Sequence, residues 1–161
     1  MISANFAEVK KSLEKYKVEV DRKLTYMVRT FAYEVTRTAI SNTPLGNAEE
    51  HMAAYLRRQQ RIGLRPEEGF AQGSWQVSNA DNFGIQEIYG SDSGGEALSL
   101  AKVNLASYKL GSNLYIGNKG YYIRLLEGGW SDQAPLGITK PTTDQIFSVL
   151  QADLARLFQE G

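Results

Sequence analysis

The sequence predicts an α+β fold: a small, mainly antiparallel sheet of about four strands, packed by a long N-terminal helix, a middle helix and a C-terminal helix. Three observations carry that expectation. Apolar residues recur at steps of three and four from Phe6 to Val35, the spacing of one helix face. Between Gly73 and Lys140 the chain falls into short, partly alternating segments separated by turn residues. A second helical stripe, Ile146, Leu150, Leu154 and Leu157, occupies the C-terminal end. A length of 161 residues fits a single domain over the whole chain with a core of its own.

The first helix is expected over about 5–41. Its stripe is Phe6, Val9, Leu13, Tyr16, Val20, Leu24, Met27, Phe31 and Val35. Asn5 is placed as N-cap, with Glu8 completing a capping box, and Pro44 and Gly46 end the element. Unbroken, such a helix spans roughly 55 Å, against about 30 Å for the width of a compact domain of this size. Either it bends or part of its face finds a partner. The opposite face mixes Lys10, Lys11, Lys15, Lys17, Arg22 and Lys23 with Glu14, Glu19 and Asp21, which reads as a solvated surface with local ion pairs.

Residues 47–72 read as a helical insertion. Met52, Leu56, Gln59 and Ile62 keep helical spacing, and Gly63, Pro66 and Gly69 break it. Its basic cluster is Arg57, Arg58 and Arg61, with Arg65 just beyond. Arginines beside apolar residues suit a protein interface, and equally a solvated amphipathic face; contact with DNA ranks third. Strands are then expected at 75–77, 83–89, 113–117 and 137–140, with a helix at 97–108 between the second and third. A last helix follows over 142–159, capped by Thr142 or Thr143. Trp75 and Leu125 are expected in the core. Among the aromatic residues, Tyr115 and Tyr122 are expected to point inward, and Tyr121 and Trp130 toward a neighbour.

The composition bounds the function. Lys and Arg number 18, as do Asp and Glu, and a net charge of zero argues against a dedicated nucleic-acid binder. With no cysteine and one histidine, His51, neither a thiolate site nor a multi-histidine metal site is expected, and no cofactor is assigned. The chain contains no apolar run of about 18 residues that would span a membrane. Residues 1–5 lack a basic-then-apolar leader pattern, so assembly in the cytoplasm is the expectation. Glu127, close to Tyr121 and Tyr122, could serve as a general base. Its position between a helix and Gly128-Gly129 favours instead a carboxylate that accepts backbone hydrogen bonds or pairs with an arginine.

The order of short blocks resembles a known family. Thr43-Pro44-Leu45-Gly46 closes the first helix, and Gly73-Ser74-Trp75-Gln76-Val77 forms a Ser-Trp strand. Asn118, Tyr122, Leu126-Glu127-x-Gly129 and Ala134-Pro135-x-Gly137 follow, ahead of a C-terminal helix. This sequence of blocks is similar to that of the small tail-completion, or head–tail joining, proteins of long-tailed bacteriophages. The departure is the insertion, because the Thr-Pro turn and the Ser-Trp strand usually lie close together in that family. The resemblance implies a non-enzymatic virion protein of the neck. It would form a ring with copies of itself, sixfold, that completes the tail and joins it to the head connector. The implied neighbours are a connector or stopper protein on one side and a tail terminator or tail tube protein on the other, with DNA passing through the lumen only as cargo. Trp75, Asn118, Tyr122, Glu127, Gly129, Pro135 and Gly137 would be the structural motif, and Arg57, Arg58, Arg61, Arg65, Tyr121 and Trp130 the interface. A tail terminator capping the tube is the alternative within the class. A small cytoplasmic enzyme and a nucleic-acid-binding regulator are the alternatives outside it. In isolation the chain is expected to be monomeric or to associate weakly, since no long all-apolar segment forces a permanent oligomer.

Overall fold

The computed structural model describes residues 5–46, 68–80, 84–120 and 122–159, with the backbone alone from 153 onward. Helix α1, Phe6–Asn42, is unbroken. It ends because Thr43 precedes Pro44: the proline forces its predecessor out of the helical region, and Thr43 is extended at φ −88°, ψ 123°. At the other end Asn5 makes no side-chain cap bond; only its carbonyl is engaged, accepting from the Val9 N–H at 3.1 Å. The expected capping box is therefore not formed.

A one-turn helix α2, Phe70–Gly73, leads into strand β1, Trp75–Ser78. Helix α3 is Ser93–Ala106, strand β2 is Tyr115–Asn118, and a short helix α4 is Ile123–Glu127. Helix α5, Thr139–Gln159, closes the order. The two strands pair antiparallel, with Trp75 opposite Asn118, Gln76 opposite Gly117, Val77 opposite Ile116 and Ser78 opposite Tyr115.

The expected four-stranded sheet is corrected to two strands among the described residues. Residues 84–89 run beside β1 without a ladder. Side chains occupy the backbone groups a ladder would use: Ser74 Oγ donates to the Gln86 carbonyl at 3.0 Å, and Gln76 Nε2 to the Gly84 carbonyl at 2.8 Å. The proposed strand at 137–140 is instead the entry to α5. Gly137 takes φ +76°, and the N–H groups of Ile138 and Thr139 bond to the Glu127 carboxylate. Pro141 then sits in the first helical turn, where its missing N–H costs nothing. Neither Thr142 nor Thr143 caps. The Thr142 hydroxyl is buried and accepts from Asn42 Nδ2, and the Thr143 hydroxyl donates back to the Thr139 carbonyl.

Two clusters make the core. One joins Ala39 and Ile40 of α1 to Trp75, Ala97, Ala134 and Ile138. The other joins Ala32 of α1 to Val77, Ala101 and Leu105. Ile116 packs against both, and α1, α3 and the β-ribbon each contribute to both clusters. Trp75 is buried as expected, and its indole N–H donates to the Thr43 hydroxyl at 2.8 Å. Leu125 is exposed, and its neighbour Leu126 supplies the core contact. The tail of the expected insertion belongs to the body. Phe70 is among the most buried side chains, Gln72 Nε2 donates to the Thr43 carbonyl at 2.7 Å, and the Gly69 N–H donates to the Leu45 carbonyl. Gly69 is left-handed at φ +75°, and a Cβ there would strike the Gly90 carbonyl and the Ser93 side chain.

Candidate interface

The residues of the Leu-Glu-x-Gly and Ala-Pro-x-Gly blocks meet in one braced loop between α4 and α5. Glu127, the last residue of α4, reaches across it. Its carboxylate accepts from Thr139 N–H at 3.0 Å, from the Thr139 hydroxyl at 2.6 Å and from Ile138 N–H at 3.3 Å. These are orphan donors at a helix start, and a negative charge there is favoured by the helix dipole. Gly129 is left-handed at φ +69°, and a Cβ on it would lie 2.6 Å from the Pro135 carbonyl oxygen. A Cβ on Gly137 would lie 2.8 Å from Glu127 Oε2. So Glu127, Gly129, Pro135 and Gly137 occupy one tight construction, and each glycine is needed where another part of the loop passes.

Asn118 makes a second brace. Its Nδ2 donates to the Ala71 carbonyl at 2.7 Å, and its Oδ1 accepts from the Gly120 N–H at 2.8 Å. This ties the end of β2 to α2. Tyr122, half-buried, stands at the start of α4, where its carbonyl accepts from the N–H groups of Leu125 and Leu126. Tyr115 is half-buried as well. The braced loop turns two large apolar side chains outward, Trp130 at 63% and Leu136 at 69% exposure. Tyr121, Arg57, Arg58, Arg61 and Arg65 lie outside the described residues, as does His51.

The larger exposed apolar surface lies on α1, on the stripe expected from the sequence to find a partner unless the helix bent. The stripe from Phe6 to Met27 is on the surface: Phe6 is 75% and Tyr16 67% exposed, and Val9, Leu13, Leu24 and Met27 are exposed too. The helix packs on the body through Ala32, Thr36, Ala39 and Ile40. At about 100° per residue, that buried face is rotated roughly 140° from the apolar stripe. Extending the body along the helix would therefore not cover the stripe. The body's grip begins at Arg29, whose guanidinium donates to the carbonyls of Ala106 and Tyr108, both at 2.8 Å. The signal was present in the sequence: most of the residues facing the body, Ala32, Thr36 and Ala39, are small, and small residues let helices approach closely.

Among the described residues no helix is long and apolar enough to cross a membrane. In comparisons with known families, with curated proteins and with solved structures, nothing matches this chain.

Proposed function

We propose that this chain is a structural subunit of a bacteriophage neck, building a ring that completes the tail and joins it to the head connector. The order of sequence blocks motivates the reading. The observation that carries it is the braced loop: residues separated in sequence and shared with the family pattern, Glu127, Gly129, Pro135 and Gly137, serve one physical purpose together. They hold Trp130 and Leu136 outward on a rigid support. An exposed tryptophan on a fixed loop is the kind of anchor that protein interfaces use. Subunits with head-to-tail contacts close into rings where the rotation allows it. The partners in this reading are further copies of the chain, a connector or stopper protein, and a tail terminator or tail tube protein.

The test is complementation of a phage lacking this chain. Trp130→Glu combined with Leu136→Glu is expected to leave the circular dichroism spectrum unchanged and to lower infectious titre, with separate heads and finished tails in micrographs. Charge reversal of Arg57, Arg58 and Arg61 is expected to act in the same direction, because like charges facing each other across an interface are strongly disfavoured. Tails of uncontrolled length would point to the terminator role. Full titre from both folded variants would remove these surfaces from the joining contact.

A further inference from the structure

We infer that the exposed half of α1 is a self-association surface, covered by the same segment of a second copy running antiparallel. The stripe leaves a free segment from Phe6 to Met27, about 33 Å long. Its exposed apolar area is on the order of 700 Å², close to one partner's share of a standard protein interface, and larger than the apolar patches usual on a monomer.

The stripe is nearly its own mirror image along the chain. Reversing the segment places Phe6 opposite Met27 of the second copy, Val9 opposite Leu24 and Leu13 opposite Val20, with Tyr16 at the centre. These layers each pair an apolar residue with an apolar residue, and at the centre the Tyr16 side chains of the two copies meet one position out of register. The flank of the seam obeys the same reversal. Lys10, Glu14, Lys17 and Asp21 lie along one edge, and the antiparallel register brings Lys10 beside the second copy's Asp21 and Glu14 beside its Lys17. All four flank contacts of the pair then join opposite charges. Among the described residues none of these four side chains is engaged in an ion pair. The other edge brings Ser12 beside Lys23 and sets no like charges together.

Geometry fits the same register. The body begins at Arg29, which in this pairing falls just beyond the start of the second copy's helix. The two bodies therefore sit at opposite ends of the seam and do not collide. From Phe6 to Met27 the stripe advances 21 residues in six steps, a period of 3.5, so the paired helices are expected to wind about each other in a shallow left-handed supercoil. A flank of alternating sign favours a partner of like composition over a polyanion or an anionic lipid surface. A twofold contact closes on itself and does not propagate a ring. The inference thus describes the free chain and stands independently of the neck reading; it departs from the expectation of a monomer or weak association in isolation.

The experiment is sedimentation equilibrium on the full chain at micromolar concentration, with a dimer expected. Leu13→Glu is expected to give a monomer with unchanged tertiary structure, since the residue is exposed and lies outside the body. Lys10→Asp is expected to raise the dissociation constant severalfold, and adding Asp21→Lys to the same chain is expected to restore it. Orientation is read by disulfide trapping, which the cysteine-free sequence makes clean. A Val9→Cys chain mixed with a Leu24→Cys chain is expected to give the mixed cross-link, and Val9→Cys alone none. A strict monomer overturns the inference, as does a Val9→Cys homodimer, which would mean a parallel pair. Recruitment of a monomer to anionic phospholipid vesicles would assign the stripe to a membrane surface instead. Failure of any of these leaves the complementation result untouched, and the reverse holds.

Discussion

From Phe6 to Met27, α1 holds large apolar side chains in the open; from Ala32 to Ile40 the same helix is buried, and mostly through small ones. The difference follows from packing. Where α1 meets α3, Ala32 and Ala39 face Ala97 and Ala101 within the two core clusters, and a Cβ on Gly94 would lie 2.8 Å from Ile40 Cγ2. Backbones this close leave no room for a phenylalanine or a tyrosine. The large residues were free to serve another surface, and they occupy a face the body cannot reach. In this helix the most hydrophobic face marks the candidate interface, while the core lies beneath the small residues.

The sharpest break of the comparison is between Trp75 and Tyr16, two large aromatic residues. Trp75→Ala is expected to cost about 3–5 kcal/mol, because it empties a buried site and leaves the Thr43 hydroxyl without its indole donor. Tyr16→Ala, measured at a concentration too low for pairing, is expected to stay within about 0.5 kcal/mol. Chemical denaturation of both variants reads the contrast, and equal midpoint shifts would dissolve it.

Glu127→Ala tests the braced loop, which resembles the body in its dense bonding and the stripe in its exposure. Loss of the carboxylate strands the N–H groups of Ile138 and Thr139, for an expected cost of about 1–2 kcal/mol. Hydrogen exchange at the first turn of α5 is expected to quicken. An unchanged rate there would mean that solvent caps the helix as well as Glu127 does.

Leu125→Ala is expected to cost less, about 1 kcal/mol or under, because the side chain is already in part exposed. A loss comparable to that of Trp75→Ala would show Leu125 acting in the core after all.

The smallest effect belongs to Glu19, on the free half of α1. Its hydrogen bond to Lys23, at 2.9 Å, and the charge of that lysine hold the carboxyl below the usual glutamate range. A lowered folded-state value means that the pair's contribution is present above the ordinary glutamate range and is lost as the pH falls through the lowered value. Both partners are exposed, so the contribution is slight and salt weakens it. Lys23→Ala is expected to return the Glu19 titration, followed by NMR, toward the ordinary range.

Much of the local structure was legible. The long helix, the strand at Trp75, the strand ending near Asn118, the helix expected at 97–108 and the C-terminal helix follow from periodicity, although α3 and α5 begin earlier than expected, at Ser93 and Thr139. Glu127 was legible as a carboxylate suited to backbone donors, because it stands between a helix and two glycines. What it bonds to was not, since Thr139 lies across a loop whose path no local pattern specifies. The segments 84–89 and 137–140 failed as strands for a related reason. Their backbone groups are taken by Ser74, Gln76 and Glu127, side chains from elsewhere in the chain, and a short apolar run carries no trace of such competitors.

The sequence by itself determined the course and end of α1 and several of the turns, because those choices depend on neighbours within a few residues: Thr43 before Pro44, the glycines at 69 and 129, and the repeat along α1. Only the tertiary structure decided which face of α1 is inside. A helix period makes a stripe, but it does not say whether the chain's own body or something else covers it. Here the limit on helix separation chose Ala32, Thr36 and Ala39 for the core, and left Phe6 to Met27 outside it.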